Sequence, residues 1–175
     1  RASEKYDVDI IGMEPALKVA CDRGEHQRIA VWATQLTLSE KKFANLMNRF
    51  KGEHHIIKVP CPELVRMVED NKLDDAYLVE SCLKEYLAAS DYKNLDSIVL
   101  GCTHFPFYTK YLEKLCPNVH IIEGSVGTTL HTKDLLEQKG LLNTSCEEGQ
   151  ITWMNTMDSK IELSKCLFKK LEVEL

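Results

Sequence analysis

The stretch Ser97-Ile98-Val99-Leu100-Gly101-Cys102-Thr103-His104-Phe105-Pro106 decides the reading of this chain. Its first four residues form a short apolar run with β-branched members, the pattern of a strand buried on both faces. Gly101 follows, and its missing side chain lets backbone or a ligand come close. Cys102, Thr103 and His104 then carry a thiol, a hydroxyl and an imidazole off the strand end. Phe105-Pro106 leads into a helical pattern that ends near Leu115. Strand, polar turn and helix in that order form the repeating unit of a parallel sheet.

Working outward, similar apolar runs occupy residues 8–11, 29–33 and 56–59 before this stretch, and 119–122 and 151–154 after it. Helical patterns lie between them, at 39–50, 73–89, 106–115, 126–139 and 159–171. In the first, Phe43, Leu46, Met47 and Phe50 share a face; in the second, residues 76, 79, 83 and 87 do. Asp158 stands where an N-cap of the last helix belongs. The expectation is an α/β fold with a mostly parallel sheet wrapped by helices on both faces. In such sheets ligands sit beyond the carboxyl ends of the strands, so the loops after residues 33, 59, 100 and 122 are where chemistry belongs.

Composition excludes several classes. Hydrophobic residues make up 44% and charged residues 28% of 175, the profile of a globular protein. The formal net charge is −5, with no basic stripe to hold nucleic acid. No apolar run approaches the ~18 residues a membrane span requires, and no export signal is evident, so a cytoplasmic protein is expected. The seven cysteines are scattered, odd in number and without a Cys-x-x-Cys pair, which argues against a disulfide framework and a structural zinc site. Position 1 is Arg, and residues 1–6 read as the end of a helix, which suggests a missing N-terminal portion.

Three constellations stand at strand ends. Thr34-Gln35-Leu36-Thr37 places two hydroxyls at a helix entrance, where they can bind a carboxylate or phosphate together with free N–H groups. The plainer alternative is that Thr37 or Ser39 caps the helix. Pro60-Cys61-Pro62 begins a helix that reaches Glu69, which is either solvated surface or a functional acid. Cys102 precedes a helix whose N-terminal dipole would favour a thiolate, and His104 offers a proton shuttle. An ordinary thiol titrates near ~8.5, so modest stabilisation makes a base that works near neutral pH. The alternative is a buried thiol and a helix-capping imidazole.

The succession Glu14-Pro15-Ala16-Leu17-Lys18, Ala33-Thr34-x-x-Thr37, Cys61-Pro62-x-Leu64-Val65-x-x-Val68-Glu69 and Leu100-Gly101-Cys102-Thr103-His104-Phe105-Pro106 resembles bacterial glutamate racemase, of the aspartate/glutamate racemase superfamily. The resemblance runs from about residue 10 to 142. It implies cofactor-independent interconversion of L- and D-glutamate for peptidoglycan, by two thiols on opposite faces of the α-carbon. Cys102 matches the second of those cysteines. His104 and Thr103 match substrate-contacting residues beside it, Thr34 and Thr37 match substrate-holding threonines, and Glu69 matches an acid that assists proton handling. Glu40 stands where the family commonly has serine, and the family's Cys-Asn-Thr segment with the first thiol does not occur.

The family fold implies a complete α/β domain over residues 12–118, with 1–11 and 119–175 as the remnant of a first domain. The resemblance therefore implies a chain that holds one of two thiols and is inactive alone. It also implies a small-molecule partner, glutamate, with no nucleic acid or membrane, and leaves a homodimer open. Two other readings stand beside it: a single-cysteine enzyme such as a decarboxylase, and a catalytically silent binding module.

Overall fold

The computed structural model describes residues 8–13 and 15–172; residues 1–6, read above as a helix end, and Glu14 lie outside them. Four strands form one parallel sheet: β1 (Arg28–Ala33), β2 (His55–Pro60), β3 (Ser97–Leu100) and β4 (His120–Glu123). Their order across the sheet is β2-β1-β3-β4. β1 pairs with β2 on one side, Ile29 opposite Ile56, and with β3 on the other, Val31 opposite Val99. The chain thus moves one way from β1 and then returns to its other side, which opens a crevice between the carboxyl ends of β1 and β3.

Burial follows the strand period of two. Ile29, Val31, Ala33 and Val99 face one layer, with Leu17, Ala20, Phe43 and Met47. Ala30, Trp32, Ile98 and Leu100 face the other, with Leu64, Val68, Val79, Leu83, Phe105 and Tyr108. The first layer comprises α1 (Leu17–Cys21), α2 (Gln35–Ser39) and α3 (Lys41–Phe50). The second comprises α4 (Pro62–Glu69), α5 (Ala76–Ala89) and α6 (Thr109–Leu115). The expected double-sided burial holds for β1 and β3, whereas the edge strands β2 and β4 keep exposed positions. Each fully buried Leu, Ile or Val contributes about 1.5–3 kcal/mol. Trp32 stays inside because its Nε1–H donates to Ser90 Oγ at 3.0 Å.

Several expectations need correction. Residues 8–11 are not a strand; Val8 and Ile10 are exposed, and no neighbouring strand pairs with them among the described residues. Residues 151–154 are not a strand either. Trp153 instead lies edge-on against Phe168 at 5.4 Å, so this segment packs on the closing helix α8 (Ile161–Glu172). Asp158 does not cap α8: it opens a 3-10 turn, Asp158–Lys160, whose own N-cap is Met157. The helix expected from residue 73 starts at Ala76, where Asp75 accepts from Leu78 N–H at 3.0 Å. α7 (Ser125–Gln138) buries none of its residues. β4 lies beyond residue 118, the boundary the family resemblance implies, and hydrogen-bonds to β3 in this sheet.

Candidate functional site

Cys102 leaves the end of β3 where Gly101 N–H still donates to Trp32 O at 2.8 Å. A side chain at Gly101 would be crowded here. A Cβ would stand 3.2 Å from Ala33 Cβ and 3.2 Å from Pro15 Cγ. The close approach sets Cys102 beside β1 at the crevice. A cleft of about 290 Å³ opens there, lined among others by Thr37, Glu40, Lys42, Cys102 and Thr103.

The imidazole of His104 joins this cleft to α4. Cys102 Sγ is 3.7 Å from His104 Nδ1, and His104 Nε2 is 2.9 Å from Glu69 Oε1. Which ring nitrogen carries a proton depends on the tautomer; with both protonated, each faces an acceptor. Tyr108 fixes the distance between the two elements, since its hydroxyl donates to Leu64 O at 2.6 Å. Glu69 is completed from the far end of the chain, because Lys160 Nζ donates to Glu69 O at 2.6 Å and lies 3.4 Å from Glu69 Oε2.

These contacts set the charges. Burial raises the Cys102 thiol, but hydrogen bonds from the His104 side chain and backbone, with the imidazolium charge, outweigh it and leave the thiol below its ordinary value. His104 rises to about 9, through its hydrogen bond to Cys102 first and then, against burial, through Glu69. Glu69 is lowered, chiefly by His104 and further by Lys160. The result is a thiolate–imidazolium pair backed by a carboxylate. The helix-dipole argument for the thiol does not hold: a 3-10 turn, Phe105–Tyr108, follows, and α6 begins only at Thr109.

The threonines divide. Thr37 and Thr103 line the cleft, whereas Thr34 caps α2, accepting from Thr37 N–H at 3.2 Å with the two hydroxyls 3.0 Å apart. Thr34, not Thr37 or Ser39, is therefore the cap, and it orients Thr37. Lys58 Nζ donates to Leu38 O at 3.1 Å near the other end of the same short helix. Sequence reasoning did not assign Lys42 or Lys160 to the site. Lys42 could have been suspected from its place five residues after Thr37, but Lys160 carries no local signal.

The remaining cysteines stand elsewhere. Cys61 is fully buried, donates to Val59 O at 3.3 Å and is pushed far up by burial. Cys21 and Cys116 are buried and raised to about 11 by burial, and Cys146 is exposed. Cys82 and Cys166 line other hollows, beside α5 and α8. Among the described residues no three His, Cys, Asp or Glu groups are placed to hold a metal ion, and no helix is long and apolar enough to cross a membrane.

No family model matches the chain. It is 51% identical over 156 residues to a glutamate racemase of Bifidobacterium animalis subsp. lactis, covering 87% of this chain and 60% of that protein. It is 46% identical over 175 residues to a glutamate racemase of Bifidobacterium longum subsp. infantis, covering 94% and 66% respectively. The chain thus spans about three-fifths to two-thirds of the length of these curated relatives. The crystal structure of Escherichia coli glutamate racemase in complex with L-glutamate and the activator UDP-MurNAc-ala shares its fold, with a TM-score of 0.74 at 24% identity over 95% of this chain and 64% of that one.

Proposed function

The chain belongs to the glutamate racemase family, and on that premise we propose that Cys102 is one of two thiols that exchange the α-proton of glutamate without a cofactor. The observation that carries the proposal is the Cys102–His104–Glu69 succession opening on the cleft between β1 and β3. The Cys102 thiolate takes the α-proton: an S–H bond forms, the Cα–H bond breaks, and the electron pair spreads onto the substrate carboxylate. The Thr37 hydroxyl, oriented by the Thr34 cap, and the Thr103 hydroxyl hold that carboxylate, because fixed donors stabilise developing charge without reorganising. His104 keeps the thiol ionised, and Glu69 keeps His104 protonated. All three residues, with the threonines, are proposed site residues.

Inversion requires a proton from the opposite face. Of the seven cysteines, Cys102 lines this cleft and the other six are buried or stand elsewhere. The 175 residues therefore supply one side of the exchange in this proposal, and return of the proton by the same thiol retains configuration. The division into a domain over 12–118 and a remnant over 1–11 and 119–175 is part of the proposal, with β4 at the boundary. The L-glutamate held by the Escherichia coli enzyme supports glutamate as the substrate, and the product would be D-glutamate for peptidoglycan. The test is substrate protection: L- or D-glutamate at millimolar concentration should slow alkylation of Cys102 and leave Cys146 unchanged. Equal slowing of both thiols, or of neither, would count against a glutamate site at Cys102.

A further inference from the structure

Lys160 is brought to the site from the opposite end of the chain, 91 residues from its partner. Glu69 is the last residue of α4, so its carbonyl is among those a helix leaves unpaired, at the negative end of the helix dipole. The Lys160 ammonium meets both that carbonyl, at 2.6 Å, and the Glu69 carboxylate, at 3.4 Å. One cation thus clamps the backbone and the side chain of the same residue, and Glu69 presents its other oxygen to His104. Lys160 is itself held, because α8 docks through Leu167 against the core; further along that helix Lys170 pairs separately with Asp74.

We propose that Lys160 is a positioning residue for the site, fixing the Glu69 carboxylate so that His104 is aimed at the Cys102 thiol. The inference rests on the reading of Cys102 and His104 given above. Other charged groups near the clamp are engaged elsewhere: Asp70 pairs with Lys72 at 3.5 Å, and Glu162 with Lys165 at 2.7 Å.

Charge alone would act in the opposite sense. A bare ammonium beside Glu69 weakens the pull of the carboxylate on the His104 proton, so removing it would strengthen that pull and keep the thiol ionised. If Lys160 acts by positioning, its loss lets the carboxylate swing away, and the thiol becomes less reactive.

The experiment is the pH profile of iodoacetamide alkylation at Cys102 in the full chain, followed by peptide mass mapping. Lys160→Met should slow the reaction at pH 7 by about three- to tenfold, the net scale of one ordinary hydrogen bond. Lys160→Arg, which keeps a donor, should recover it to within about twofold of wild type. In a Glu69→Gln background, Lys160→Met should add nothing. Lys170→Met, which frees the other tether of α8, should leave the rate unchanged. A wild-type or faster rate in Lys160→Met overturns the proposal, and so does an equal slowing in Lys170→Met or in the Glu69→Gln background. If His104→Gln leaves the rate unchanged, the underlying reading fails and this inference with it. If His104→Gln slows the reaction and Lys160→Met does not, only the role of Lys160 fails.

Discussion

Substituting Glu69→Gln keeps the side chain's size and removes its charge. His104 is held at about 9 against an ordinary 6.5, by its hydrogen bond to Cys102 first and by Glu69 after it, with burial opposing. A displacement of that size corresponds to roughly 3 kcal/mol shared between the two partners. Glu69 is 47% exposed, so solvent screening leaves its share near ~1 kcal/mol. The His104 midpoint should therefore fall by about 0.5–1 pH unit, read from the imidazole Cε1–H resonance across a pH titration. Stability carries the same signature. A histidine raised above its unfolded value contributes fully below about pH 6.5 and loses that contribution as pH rises through about 9. Glu69→Gln should cost about 1 kcal/mol at pH 6 and less at pH 10, where only the Lys160 contact is left to lose, measured by urea unfolding. A midpoint that stays put or rises would refute the reasoning, as would a cost that grows with pH.

Other expectations follow from the same contacts. At pH 7, Cys102 should react with iodoacetamide about three to ten times faster than Cys146, although Cys146 is the more exposed, because thiolate fraction governs the rate; mass mapping that finds equal rates would contradict the thiolate. Gly101→Ala should lower stability by about 1–3 kcal/mol, since the new methyl meets Ala33 and Pro15 at 3.2 Å, and denaturant unfolding reads the loss. Ser97→Ala should be neutral or stabilising by up to ~1 kcal/mol, because the fully buried Ser97 Oγ has no hydrogen-bond partner among the described residues. A clear loss of stability would show that the hydroxyl is satisfied.

The four strands were legible because each is a short segment rich in β-branched apolar residues, and residues 29–33 and 97–100 are buried on both faces as that pattern demands. The same local signal misled at 8–11 and 151–154. A strand needs a neighbour to pair with, and a window of sequence does not contain the neighbour. The Cys102–His104 contact was readable because only Thr103 stands between the two residues and both sit at a strand end. The Glu69–His104 bond spans 35 positions and follows only once α4 and the loop after β3 are packed together through Tyr108. Thr34 offered the same hydroxyl as Thr37, and its role as a cap depends on backbone angles that residue type leaves open. The Lys160 contact exists because α8 folds back across the sheet's helices, which no spacing in the sequence encodes.

The most direct measurement incubates the 175-residue chain with L-glutamate and, separately, D-glutamate in deuterated buffer, and follows the α-proton by NMR together with chiral separation. The account predicts that deuterium enters one enantiomer with retained configuration, and that Cys102→Ser abolishes it. Interconversion of the enantiomers by this chain, exchange into both, absence of exchange in either, or exchange that persists in Cys102→Ser would contradict it.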